Sequence, residues 1–216
     1  MAESDAVTPY AGYDVLAKWS SLSFDDTTRA VLRRRLDTPP ERRFFSASEF
    51  LVLEAACARL LATAPGDPPI ANAIDGDLFA GRSEGFRAPA APRLGAAWHT
   101  GLAGLDAEAQ RRHGEGFADL DGARQDATLR ALQSGDVDAA LFAGIDAAGF
   151  FRDVLLKSAA AQYYSRPQAW SEIGYGGPAS PRGYVRIALD RRDPWEGAEA
   201  KAGEEERARQ ENSRVG

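Results

Sequence analysis

The chain has 216 residues, 32 acidic against 26 basic side chains, a net charge of −6 and a single cysteine, Cys57. One cysteine excludes an internal disulfide framework, a four-cysteine metal site and covalent c-type haem attachment, and the acid excess gives no general pull towards nucleic acid. The longest stretch free of Asp, Glu, Lys and Arg, Leu94–Leu105, covers twelve residues, whereas a membrane-crossing helix needs about 20.

Apolar residues recur at helical spacing along most of the chain. Tyr10, Val15, Leu16 and Trp19 predict a short first helix, and Asp25 or Asp26 caps a second through Val31, Leu32 and Leu36, stopped by Pro39-Pro40. Ser46 and Glu49 form a capping-box pattern, in which hydroxyl and carboxylate satisfy backbone N–H groups at a helix start. Phe50, Leu53, Cys57, Leu60 and Leu61 then share one apolar face, and Pro65-Gly66-Asp67-Pro68-Pro69 ends that helix. Ile70, Ile74 and Leu78 mark a shorter one. Gly81–Pro92 is a connection, and Leu94, Trp98, Leu102 and Leu105 resume the spacing.

Phe117, Leu120, Leu129 and Leu132 predict two short amphipathic pieces around Asp121-Gly122. Asp136 caps a longer predicted helix carrying Val137, Leu141, Ile145, Ala148, Phe151 and Leu155 towards Tyr164, with Gly144 and Gly149 as kink points. Beyond Ser165 the periodicity is lost among Pro, Gly and aromatic residues, and Val185, Ile187 and Leu189 alternate as at most a short strand. From Asp190 onwards 14 of 27 residues are charged and Trp195 is the one large apolar group, so the tail is expected to be disordered or a frayed helix. The expected fold is all-α, an irregular helical domain with a long Pro/Gly/aromatic C-terminal loop segment. Its parts are an N-terminal helical extension (1–43), a helical domain (44–189) and a charged tail (190–216).

One segment imitates an export signal. Arg42-Arg43-Phe44-Phe45 precedes an apolar stretch and the small triplet Ala62-Thr63-Ala64. Glu49, Glu54 and Arg59 interrupt that stretch, so it reads as an amphipathic helix. Met1–Thr8 carries no apolar signal, and export is expected to depend on a partner's signal.

Searches for chemistry give few candidates. Gly174-Tyr175-Gly176-Gly177-Pro178 lacks the spacing and the strand–helix context of a dinucleotide fingerprint, and no phosphate loop ending in Lys and Ser or Thr occurs. His99 and His113, the only histidines, form no helical metal-binding pair. His99, beside Trp98, reads as satisfying a polar group in the core, and His113 as a solvated helix end. Cys57 reads as a packed hydrophobe rather than a nucleophile. No catalytic, cofactor-binding or metal-binding residues are assigned. Aromatic residues concentrate instead in the aperiodic region: Tyr163, Tyr164, Trp170, Tyr175 and Tyr184 lie within 22 residues, interleaved with Pro167, Pro178, Pro181 and glycines. Such residues either close over the domain's own helices or dock on a partner, where Tyr and Trp supply contact area at low entropy cost.

The order of motifs is more telling than any one of them. Phe44-Phe45 with Glu49 opens a helix, a Pro-rich break follows at Pro65–Pro69, and the helical middle contains Phe150-Phe151. Tyr163-Tyr164-Ser165-x-Pro167, Trp170-x-x-Ile173-Gly174-Tyr175, Gly177-Pro178 and Gly183-Tyr184 complete the series. Over about Phe44 to Tyr184 this resembles the gluconate 2-dehydrogenase subunit 3 family, small subunits of membrane-associated sugar and polyol dehydrogenases. Gln168-Ala169-Trp170 stands where the family's Gly-Asn pair is expected.

The resemblance implies a non-catalytic helical subunit that binds a glucose-methanol-choline-type catalytic subunit carrying FAD and assists its maturation, with haem c in a third, cytochrome c subunit. It implies no cofactor on this chain, no nucleic acid and no membrane span of its own. The partner interface is assigned to Tyr163, Tyr164, Pro167, Trp170, Tyr175 and Tyr184. A periplasmic or membrane-associated location through partners is implied; relatives commonly bear a twin-arginine signal, and its lack here leaves the cytoplasm open. Two other classes stand beside this reading: a helical adaptor unrelated to oxidoreductases, binding through its acidic tail, and an enzyme using acid–base chemistry around His99.

Overall fold

A computed structural model describes residues 8–36, 41–82, 92–178, 183 and 191–215. The chain forms two compact units, one contiguous (38–163) and one assembled from both ends of the sequence (1–37 with 164–216). Among the described residues every regular element is helical, and the only β-type contact is an isolated bridge between Ala64 and Asp67.

The contiguous unit starts with α2 (Ala47–Leu61), following α1 (Asp26–Leu36) of the other unit. The capping box of α2 is complete: Ser46 Oγ accepts from Glu49 N–H at 3.3 Å while Glu49 Oε2 accepts from Ser46 N–H at 2.8 Å. The export-signal mimic is therefore an ordinary capped helix with Val52, Leu53, Ala56 and Cys57 buried. α3 (Ile70–Phe79) follows, and α4 (Leu94–His113) runs through the middle, packing against α2, α5 (Gly122–Ser134), a 3-10 turn at Ala139–Phe142 and the π-helical stretch described next. Gly101 and Gly104 of α4 let the rings of Phe150 and Phe142 lie directly on the helix backbone. Trp98, Leu102, Leu105, Phe117, Leu132 and Leu155 fill the rest of this core.

The long helix expected from Asp136 is not continuous. Asp138 caps the 3-10 turn by accepting from Ala140 N–H at 3.0 Å, and Ala143 (φ 45°) and Gly144 (φ 86°) then leave the right-handed region. A helix cannot propagate through two left-handed residues, so it restarts after Asp146. There α6 (Ala147–Gly149) passes into a π-helical stretch, Phe150–Leu156, and on into α7 (Lys157–Tyr164). Gly149 lies inside this run with right-handed dihedrals, and the π stretch brings Phe150, Phe151 and Leu155 all into the core.

The second unit has its own apolar centre of Tyr13, Val15, Phe24, Leu32, Trp170 and Val215. The expected first helix is one 3-10 turn, Val15–Lys18, capped by Asp14, and Asp25 rather than Asp26 caps α1 by accepting from Thr28 N–H at 2.7 Å. α8 (Pro167–Glu172) begins with proline, whose missing N–H costs nothing in a first helical turn. The charged tail carries α9 (Glu205–Asn212) and contributes buried Ala198, Ala208 and Val215. Small residues and one asparagine do what large apolar groups do elsewhere. Asn212 accepts from Ala198 N–H at 2.6 Å and donates to the carbonyls of Ala11 (2.9 Å) and Ala198 (3.0 Å). The predicted strand at Val185–Leu189 lies outside the described residues.

Candidate functional site

The aromatic segment divides between the two units. Tyr163, in the last turn of α7, is half-buried against the core of the contiguous unit. Tyr164 is 48% exposed, and its carbonyl accepts from Trp170 Nε1 at 2.6 Å. That bond turns the indole inward: Trp170 and Pro167 are buried, with Tyr175 meeting the Trp170 ring edge-on at 5.4 Å. Tyr175 is itself at the surface, as is Ile173. Tyr184 lies outside the described residues. The described candidates of the second unit thus differ in exposure. Pro167 and Trp170 are buried, and Tyr164, Ile173 and Tyr175 are exposed.

The segment around them is built from backbone conformations that need glycine. Gly174 sits at φ 68°, and a Cβ there would meet the Tyr10 ring at 2.3 Å. Below it lies the residue that sequence reasoning missed. Lys18 is 1% exposed, and its Nζ donates to Tyr13 Oη (2.9 Å), Gly176 O (2.9 Å) and Trp195 O (2.6 Å). An ammonium with all three protons placed on oxygens satisfies the requirement that a buried charge be fully hydrogen-bonded. It joins the 3-10 turn, the aromatic segment and the tail.

The other candidates fall into structural roles. His99 is at the surface rather than in the core; its ring stacks on Phe44 at 4.9 Å and its Nδ1 meets Glu49 Oε1 at 2.6 Å. Burial alone would raise the Glu49 carboxyl, but the hydrogen bonds from Ser46 and His99 together hold it below its usual range. His113 is half-buried, with Nε2 enclosed and unpaired, where Gly114 (φ 79°) turns the chain at the end of α4. Burial, reinforced by Glu54, pushes the Cys57 thiol up to about 12. It therefore stays protonated and unreactive.

Two buried carboxylates also went unnoticed in the sequence. Asp75, fully buried, accepts from the backbone N–H groups of Arg43 (2.7 Å), Phe44 (3.0 Å) and Phe45 (2.9 Å). Glu108, equally buried, accepts from Arg111 (2.6 and 2.9 Å), Arg112 (2.5 Å) and Asp138 N–H (3.3 Å). The Arg111 hydrogen bonds lead in drawing its carboxyl down to about 2, with burial opposing and Arg112 and Asp138 assisting. The one available signal was an acid set directly between apolar or small residues, Ile74-Asp75-Gly76 and Ala107-Glu108-Ala109. Among the described residues no group of three or more His, Cys, Asp or Glu side chains is arranged to hold a metal ion, and no helix is long and apolar enough to cross a membrane.

Comparison with known families decides the affiliation. The model of the gluconate 2-dehydrogenase subunit 3 family matches residues 47–177. The chain belongs to that family. No curated protein and no solved structure matches it. The family match takes in α2 to α8 and ends in the glycine-rich turn beside Tyr175, leaving α1 and the tail outside. As a family member, the chain is a subunit type of a dehydrogenase complex, and its aromatic segment from Tyr163 to Tyr175 lies wholly inside the matched region.

Proposed function

We propose that the chain is the non-catalytic small subunit of a flavin-dependent sugar or polyol dehydrogenase complex. It binds and stabilises a glucose-methanol-choline-type catalytic subunit that carries FAD, and assists its maturation. A cytochrome c subunit with haem c accepts the electrons in the full assembly. The reading is carried by the family match over residues 47–177. Its chemistry is supported by the placement of Tyr164, Ile173 and Tyr175, large side chains kept at the surface by a frame of buried Trp170 and Lys18. Aromatic and apolar groups held on a rigid support lose little entropy on docking, the usual composition of an interface centre.

The test is affinity recovery of the tagged chain from its native host, with an absorption spectrum of the eluate. A stoichiometric flavoprotein is expected. Tyr164→Ala combined with Ile173→Ala should reduce its recovery while leaving the far-UV circular dichroism unchanged. Trp170 is unsuitable for this purpose, because its removal opens the apolar centre of its own unit. A colourless chain recovered alone, from cells shown to make the dehydrogenase, would refute the proposal.

A further inference from the structure

The chain is acidic overall, and many of its arginines are matched to carboxylates: Arg59 to Asp126 (2.7 Å), Arg82 to Asp77 (2.6 Å), Arg152 to Asp153 (2.6 Å) and Arg207 to Glu204 (2.6 Å). Arg42, Arg43, Arg93, Arg191 and Arg214 meet none among the described residues, but only the end of α1 sets three such arginines in a row. Arg33, Arg34 and Arg35 are all exposed, and among the described residues none of them meets a carboxylate. The Arg33 guanidinium lies over the Trp19 ring at 5.5 Å, Arg34 Nε reaches only its own helix at Ala30 O (3.4 Å), and Arg35 Nη1 donates to Ser165 O at 2.8 Å. A basic last turn complements the helix dipole, yet that effect is spent within one turn and does not call for three uncompensated charges.

The triplet is also anchored. Arg166 Nη1 donates back to Arg35 O at 2.9 Å, so the end of α1 and the residues just after Tyr164 are joined by two reciprocal hydrogen bonds within one unit. Arginine beside aromatic and aliphatic side chains is the residue mixture enriched at protein interfaces. The guanidinium group is the cation best suited to bidentate pairing with carboxylates.

We infer that Arg33, Arg34 and Arg35, around the end of α1, form a second docking surface, which receives an acidic patch of the catalytic flavoprotein. The inference rests on the proposed function and goes beyond it, since α1 lies outside the residues that match the family. A protein partner suits this surface better than a lipid one. An interfacial helix needs a broad free apolar face, whereas α1 turns Leu32 into its own unit and leaves only Val31 exposed and Leu36 partly exposed among its large apolar residues. The net charge of −6 also opposes approach to an anionic bilayer.

The test uses the flavoprotein that the tagged wild-type chain carries from its native host. R33Q/R34Q/R35Q keeps good helix formers at all three positions and should bind that flavoprotein at least about tenfold more weakly, with the salt sensitivity of the remaining binding flattened. R34E changes a side chain whose hydrogen bond is to its own helix and should act in the same direction. Recovery and salt response unchanged in both variants, with wild-type recovery intact, would overturn the docking surface and leave the proposed function standing. Failure of the wild-type chain to recover any flavoprotein would remove both. Binding of the wild-type chain to phosphatidylserine vesicles, lost in the triple variant while flavoprotein recovery persists, would reassign the surface to lipid and overturn the inference.

Discussion

Replacing Gly101 by alanine puts the packing of α4 to a quantitative test. A methyl group there would lie 2.3 Å from Cε2 and Cζ of Phe150 and 2.4 Å from Cδ2. Carbon atoms rest at about 3.5–4.0 Å, so the ring would have to retreat by more than about 1 Å. It has nowhere to go: Phe150 is buried, and its edge meets the Trp98 ring at 5.8 Å and 89°. Overpacking of this kind costs about 1–3 kcal/mol and occasionally more. Alanine returns about 1 kcal/mol of helix propensity. With the clash at the severe end, the net effect is a loss of about 2 kcal/mol, or about 4–8 °C in Tm for a chain of this size. Thermal and urea unfolding followed by circular dichroism would measure it. Phe150→Leu in the same background should recover part of the loss, giving a non-additive double-mutant cycle. A Gly101→Ala protein as stable as wild type, or more stable, would show that the ring does not lie on the helix backbone.

Three further outcomes follow from the buried polar groups. Asp75→Ala leaves three backbone N–H groups without their carboxylate and should cost about 3–5 kcal/mol, read as a lower urea midpoint at unchanged slope; a midpoint within error of wild type would refute the clamp. Glu108, held at about 2 in the folded chain against an ordinary value of 4.5, contributes stability that is fully present above pH 4.5 and is lost as the pH falls through about 2. The loss amounts to at most about 3 kcal/mol. Glu108→Gln should be destabilised at neutral pH and show a flatter acid limb, and parallel acid limbs for the two proteins would contradict the assignment. Cys57 should resist a maleimide in the folded protein and react fully once guanidinium has unfolded it; rapid labelling of the native chain would mean that the thiol is neither buried nor protonated.

The helices were legible where a cap and a stop bracket an apolar stripe. Ser46 with Glu49 caps α2 as the sequence predicts, and the break expected at Asp121-Gly122 is the start of α5, whose cap by Asp121 the structure adds. The region after Asp136 was harder for a local reason of its own. Asp136, Asp138 and Asp146 are all of a residue type suited to capping, and periodicity does not rank them; the structure uses the side chain of Asp138 and breaks the run at the left-handed pair Ala143-Gly144. The π stretch has no sequence mark; it begins at Phe150, whose ring lies on Gly101 of a distant helix. Lys18 and Asp75 escaped notice because their partners are mostly backbone groups of other segments, and Glu108 because its Arg111 and Arg112, at i+3 and i+4, form a spacing equally suited to an exposed ion pair. Of the candidate site, the location was legible but the orientation was not. The aromatic content of Tyr163–Tyr175 is plain in the sequence, while the inward turn of Trp170 depends on one hydrogen bond to the carbonyl of Tyr164.

The three oxygens around Lys18 bear on the order in which the chain assembles during synthesis. Tyr13 and Lys18 leave the ribosome early, but Gly176 and Trp195 emerge only after the whole of residues 38–163, a unit with an apolar core of its own. Through that interval Val15, Phe24 and Leu32 have no cover, the condition that makes nascent segments clients of chaperones. A circular permutant that moves residues 8–36 behind Val215 would abolish the wait, and should fold in a cell-free system with less chaperone than the natural order of the sequence requires.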